Sequence, residues 1–338
     1  MLATSCAPSP EGDGTDLATD LAVPWGLDFL PTGEALVAER DTGRVLRVPE
    51  DGGEAEHVAT VPGVEPDGEG GLLGLAVSPT FADDSFLYAY LTSATDNRIV
   101  RFRLVPDDTE PVDVEVVVDG IAKSDHHDGG RIAFGPDGML YAGTGDAGDL
   151  TASQDTTSLN GKILRMTPVG EAPPDNPIPG SLVYTWGHRN VQGLAWDSDD
   201  RLWATEFGQD TWDEVNLIEP GQDYGWPEVE GHAGDPRFVD PQVTWRTDDA
   251  SPSGAAIVPG ADHDTLYVAA LRGQRLWQVP LTDGVAGEPT ALLTGQYGRL
   301  RTVALAPDGS LWVATSNRDG RGDPADGDDR LLRYEPAA

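Results

Sequence analysis

KSDHHDGGRIAFGPDGMLYAGTGD, residues 123–146, contains adjacent histidines, a Gly-Gly pair, an arginine, a short alternating strand, a Pro-Asp-Gly turn, a second strand and a Gly-Asp loop. The turn has a mechanism: proline presets φ and glycine accepts positive φ, so the chain reverses into a hairpin. The same start, strand, turn and second strand recur along the chain. Trp25–Phe29 leads into Ala35–Ala38, Gly74–Val77 into Phe86–Tyr90, and Arg131–Phe134 into Met139–Gly143. Gly193–Trp196 then leads into Arg201–Thr205, Gly254–Ile257 into Thr265–Ala269, and Thr302–Leu305 into Ser310–Thr315. Several repeats continue into a third strand, as in GRVLRV, NRIVRFRL, GKILRM, QRLWQV and DRLLRY.

The repeats start roughly 48 to 62 residues apart, the length of a four-stranded propeller blade with insertions. One blade cannot bury both of its faces, so six of them close a ring. The fold expected is all-β, a six-bladed β-propeller of four-stranded antiparallel blades. A β-sandwich with six incidental hairpins would not need the same start signature at each repeat. Residues 1–18 are read as a flexible leader and residues 19–338 as one propeller domain.

Composition agrees: 41 glycines and 27 prolines punctuate short Val-, Leu- and Trp-bearing runs. No run approaches the roughly 18 apolar residues of a bilayer-spanning helix. With 22 Lys and Arg against 58 Asp and Glu the net charge is −36, which repels nucleic acid and anionic membranes. An anionic ligand would bind only where arginines gather against that background. Cys6 is the sole cysteine, so an intramolecular disulfide is excluded. The start, MLATSCAPSPEGDGTD, reads as the end of a bacterial lipoprotein signal with its lipidation cysteine, which implies an extracytoplasmic protein anchored through Cys6.

In a propeller the starts of all first strands, and the loops after all second strands, lie at one end of the ring. That rule gathers Glu69, His126, His127, Arg131, Arg189, Asn190, Gln192, Ser251, Ser253, Arg299 and Arg301, with Asp146, Glu206–Glu214, Arg272 and Asn317 from the returning loops. Histidine accepts protons near neutral pH, and each guanidinium can grip a carboxylate with two bonds. Arg299 and Arg301 are two apart, yet residues just outside a strand need not alternate, so both are expected to face the axis. The loop TEFGQDTWDEV, with Glu206, Asp210, Asp213, Glu214 and the flexible Gly208, suits the hard oxygen ligands of Ca²⁺. The SNRDGRGDPADGDD segment is a further candidate rim or metal loop. No Cys/His cluster for zinc, Ser-His-Asp set, phosphate loop or dinucleotide fingerprint is present.

The ordered set EGGLLGLA, HHDGGRIAFGPDG, GTGD, NGKILR, GHRNVQGLAW, WDEVNLIEPGQDYGWP, SPSG, LRGQRLW, RLR and SNRDGRG closely resembles the soluble pyrroloquinoline quinone (PQQ)-dependent aldose sugar dehydrogenases. The resemblance implies a six-bladed propeller that binds PQQ on its top face and oxidises an aldose at C1 to the lactone. It makes His127 the base and Arg189, with Asn190 beside it, the polariser of the quinone C5 oxygen. Arg272 stands where the family usually has lysine; with Arg299 and Arg301 it would hold the PQQ carboxylates. Glu69 replaces a glutamine at the cofactor. Calcium would use the Gly208 and Gln209 carbonyls beside Asp213, and a second calcium Glu214 and the Tyr224 carbonyl. Trp245 and Asp146 are placed at the sugar. A monomer is expected, passing electrons to an external acceptor. A non-catalytic propeller binding a glycan or protein on this face, and a calcium-dependent lactonase, are the alternatives.

Overall fold

The computed structural model describes residues 14–106 and 108–336; Cys6 and the leader before residue 14 lie outside the described residues. The strands form six separate antiparallel sheets, each one blade. Blade 1 runs through Pro24–Phe29, Ala35–Glu39, Arg44–Val48 and Glu56–Thr60 from axis to rim, and blade 2 through Leu72–Val77, Phe86–Thr92, Asn97–Arg103 and Val112–Ile121. Blade 3 uses Ile132–Phe134, Leu140–Gly143, Lys162–Met166 and Val183–Trp186, and blade 4 uses Val191–Trp196, Leu202–Glu206, Trp212–Ile218 and Val243–Arg246. In blade 5, Pro252–Val258, Asp264–Ala270 and Arg275–Thr282 are followed by a rim strand broken into Val285–Ala286 and Thr290–Leu292. Blade 6 takes Leu300–Leu305, Leu311–Thr315 and Leu331–Tyr334, and its rim strand is Thr15–Ala18 from the other end of the chain. The all-β six-bladed propeller read from the repeats is the fold. The segment 15–18, expected to belong to the flexible leader, instead closes the ring, because blade 6 would otherwise present an unpaired edge to solvent.

The core lies between blades rather than within them. Period-2 alternation gives every middle strand two apolar faces, and six buried clusters fill the six seams. Tyr88 and Tyr90 of blade 2 pack against Leu140 and Leu164 of blade 3, for example, and Trp312 of blade 6 against Val37 and Leu46 of blade 1. At the axis the packing is tighter still. A Cβ on Gly74 would stand 2.3 Å from the Gly130 carbonyl oxygen of the next blade, and one on Gly254 2.7 Å from the Thr302 Cα. The glycine that opens the second and fifth repeats is therefore a spacing requirement of adjacent inner strands.

The entries of five inner strands carry a β-bulge, at Pro24/Leu27, Leu72/Leu75, Val191/Gly193, Pro252/Ala255 and Leu300/Thr302. A bulge puts an extra residue on one strand and re-aims its side chain. All five sit at the end of the ring where the candidate residues gather. Among the described residues only two short helices occur, Phe81–Asp84 and Leu150–Gln154, and none is long and apolar enough to cross a membrane.

Candidate active site

A cleft of about 380 Å³ opens at that end of the axis, walled by Glu69, Gln192, Arg272, Arg299, Arg301 and Asp319, with Arg40 and Arg321 beside them. Five guanidiniums converge here in a chain of net charge −36. The Leu300/Thr302 bulge brings Arg299 and Arg301 to the same side: both reach Asp319 Oδ2, from Nη2 at 2.9 Å and 3.5 Å. Arg301 also donates from Nη1 to Gln192 Oε1 at 2.9 Å. Burial lowers the Arg301 pKa to about 10, with Asp319 opposing the fall, so the group is a cation at neutral pH. Arg272 is exposed and ion-paired to Asp248 at the rim.

His127 sits at the edge of this cleft with φ of 57°, its amide donating to Glu69 Oε2 at 3.0 Å. Glu69 in turn pairs with Arg321 at 2.6 Å. Burial raises the Glu69 pKa, but Arg321 and the His127 amide outweigh it, and the carboxyl stays below its usual range. His127 Nδ1 lies 2.7 Å from Asp146 Oδ1. Asp146 is fully buried, and burial favours its neutral form. The bonds from His127, the Gly148 amide and Trp226 Nε1 overcome that and hold its pKa below the usual range. An ionised Asp146 only accepts, so Nδ1 carries the imidazole proton and Nε2 presents its lone pair.

Arg189 and Asn190 lie alongside, at the blade 3–blade 4 junction. The Asp146 amide donates to the Arg189 carbonyl, and the Gly129 amide to Asn190 Oδ1, at 2.8 Å and 2.9 Å. The Arg189 guanidinium lies 5.5 Å over the Trp226 ring, and its amide is bound by Glu206. Burial pulls its pKa down, with Asp146 and Glu206 opposing. Arg189 Nε, Asn190 Nδ2 and Arg301 Nε are buried without any hydrogen-bond partner. Leaving such donors unpaired costs about 1–3 kcal/mol each, which a ligand acceptor at this site would offset.

The 208–212 loop is pinned from one side. Glu230 Oε1 accepts the amides of Gln209, Asp210, Thr211 and Trp212 at 2.6–3.2 Å. Across a trans peptide the carbonyl opposes the following N–H, so the Gly208 and Gln209 carbonyls point away from Glu230. Asp213, expected beside calcium, spends its oxygens on the Gly208 and Ser251 amides at 2.9 Å and 2.6 Å, and burial raises its pKa to about 6. It fixes the loop. Glu214, Glu206 and Glu230 border a small adjoining pocket with Tyr224, whose ring stacks on His188 at 4.7 Å. Glu214 binds the Gly231 amide and Asn216, and burial beside Glu206 pushes its pKa well up. Among the described residues no three His, Cys, Asp or Glu side chains form a ready metal cluster.

Two placements differ from the sequence reading. Trp245, expected over the sugar, is buried between blades 4 and 5, stacked on Trp277 at 5.2 Å. Within Val243–Arg246 alternation turns residues 243 and 245 inward, away from the cleft. Asp146, expected at the sugar, has no exposed surface and acts on His127 instead. Residues not singled out include Arg40, Trp226 and Glu230, while Asp319 lies in the SNRDGRGDPADGDD segment offered as a candidate rim or metal loop. Arg40 follows a second strand, so the rule that selected the other returning loops also covers it. Trp226 and Glu230 act through long-range bonds that leave no local pattern.

The family profile for glucose/sorbosone dehydrogenase matches residues 21–332. The PQQ-bound aldose sugar dehydrogenase of Streptomyces coelicolor superposes with a TM-score of 0.90 at 54% identity, over 96% of this chain and 99% of that one. The aldose sugar dehydrogenase YliI of Escherichia coli is 28% identical over 88% of each chain. Quinoprotein glucose dehydrogenase B of Acinetobacter calcoaceticus is 33% identical over 69% of this chain and 56% of its own length. With the profile spanning nearly the whole ring, this chain belongs to the glucose/sorbosone dehydrogenase family.

Proposed function

We propose that the protein is a PQQ- and Ca²⁺-dependent aldose sugar dehydrogenase that oxidises C1 of the sugar to the lactone and passes electrons to an external acceptor. The observation that carries this reading is the convergence of five guanidiniums on one cleft in an otherwise strongly acidic chain, with the buried, unpaired Arg301 Nε among them and unpaired donors of Arg189 and Asn190 at the adjoining blade junction. A tricarboxylate fits that set. Arg299, Arg301 and Arg272 would hold its carboxylates, and Arg189 Nε and Asn190 Nδ2 are donors for a quinone oxygen. Bound PQQ supplies the acceptor for the hydride leaving C1.

The chain's own contribution is proton transfer and placement. His127 Nε2 takes the C1 hydroxyl proton, and Asp146 holds the imidazole in the tautomer that can do so. The Gly208 and Gln209 carbonyls, turned outward by Glu230, would ligate Ca²⁺ at the cofactor; Glu214 and the Tyr224 carbonyl would ligate a second ion. Hydrolysis of a lactone needs no ring of arginines, and a passive binding face needs no fixed imidazole tautomer. An extracytoplasmic, monomeric protein lipidated at Cys6 completes the reading; palmitate labelling that Cys6→Ser abolishes tests the anchor.

The deciding experiment adds PQQ and Ca²⁺ to purified apoprotein, then an aldose and a dye acceptor. Dye reduction requiring both additions is expected. Turnover without PQQ, or none with it, would reject the assignment.

A further inference from the structure

A second cavity, about 470 Å³, enters the ring from the opposite end and runs up the axis toward Arg131. Its size is that of a small-molecule pocket. Most of the lining side chains are apolar, and Leu27, Leu75, Leu194, Ile257, Val303 and Leu305 come from five of the six blades; backbone and the polar side chains make about half of the lining surface polar. Three polar side chains line it, and two are spent. Asp28 accepts the Phe29 and Val77 amides at 2.8 Å and 2.7 Å, and Thr302 Oγ1 donates to the Trp25 carbonyl at 2.6 Å while accepting Arg131 Nη2 at 3.0 Å.

Arg131 is the third. Its Nε donates to the Gln192 carbonyl at 2.8 Å, and its guanidinium lies 4.3 Å over the Trp25 ring, so it spans the axis as a floor beneath the upper cleft. Burial, then the neighbouring Arg301, lowers its pKa to about 9, which leaves it charged at neutral pH. Among the described residues it has no carboxylate partner, and Nη1 has no protein acceptor. A buried cation without a counter-charge is costly.

We propose that this axial channel binds an aliphatic carboxylate, its head group on Arg131 and its chain along the apolar walls. The site is separate from the arginines of the upper cleft and does not depend on the quinone reading. Its lower mouth is formed by the ends of the inner strands, including Leu305, far from His127.

Octanoate titrated calorimetrically into PQQ- and Ca²⁺-loaded protein tests this, with apoprotein in parallel. One octanoate per chain is expected in both, with affinity rising about fourfold per methylene from butanoate to octanoate. Octan-1-ol and acetate should each bind at least about tenfold more weakly. Arg131→Met should lose binding by a similar factor. Leu305→Trp, which fills the mouth and leaves Arg131 intact, should block octanoate without changing PQQ retention, and it decides the matter if Arg131→Met fails to fold. No binding to loaded protein, binding that PQQ displaces, acetate matching octanoate, or octanoate binding unchanged in Leu305→Trp would each overturn the proposal.

Discussion

Asp146 gains its influence by being inaccessible. Two oxygens fixed by His127, Gly148 and Trp226 leave it no way to turn, so the imidazole cannot change tautomer without breaking a buried bond. His127→Ala should therefore abolish turnover while PQQ binding, read by the quinone absorbance, survives; loss of both together would deny it the role of base. Asp146→Asn should lower kcat by about 10²–10⁴-fold, the range that general-base catalysis contributes, with KM for the sugar little changed. A rise in KM alone would return Asp146 to the sugar. The gathering of His127 and the arginines at one end of the ring was legible because each sits at a repeat boundary. The contacts of Asp146, Trp226 and Glu230 were not, since hydrogen bonds between residues up to 80 positions apart leave no trace in spacing. Trp245 misled for the opposite reason: alternation inside a strand, not position along the chain, decides its direction.

At the level of the strand, the bulge and the glycine do complementary work. Glycine lets neighbouring inner strands approach at the axis, and the bulge above it frees side chains from alternation. Gly74→Ala should destabilise the protein by about 1–3 kcal/mol, the usual cost of overpacking, seen as a lower denaturation midpoint with unchanged m-value. No change would mean that the seam between blades 2 and 3 has slack. Asp28 ties the inner strand of blade 1 to that of blade 2 through the Val77 amide, and burial raises its pKa from 3.8 to about 6. Its folded pKa lies above the unfolded one, so its contribution is fully present below about pH 4 and is lost as pH rises through 6. The stability margin of the native chain over Asp28→Asn should shrink across that interval in pH-dependent thermal melts; a growing margin would reverse the sign. Period and turn chemistry made the hairpins readable, and they are local. The broken rim strand of blade 5 and the four residues of Thr15–Ala18 were not readable, because rim strands bury one face at most and carry little pattern.

For the molecule as a whole, a net charge of −36 opposes compaction while a ring of guanidiniums recruits anions. Salt screens both effects. Raising NaCl from low to about 0.5 M should increase the Tm and weaken PQQ retention at the same time; parallel changes would show that the arginines do not dominate cofactor binding. The sixth blade adds a different constraint. Thr15–Ala18 pairs with Leu331–Tyr334, so a strand that precedes blade 1 waits for the outer part of blade 6. On the ribosome, five blades stand as an open crescent with a bare edge until Leu331–Tyr334 has emerged. The final snap is a contact spanning almost the entire chain, the slowest kind to form and the point at which a nascent molecule is most exposed to a neighbour's edge.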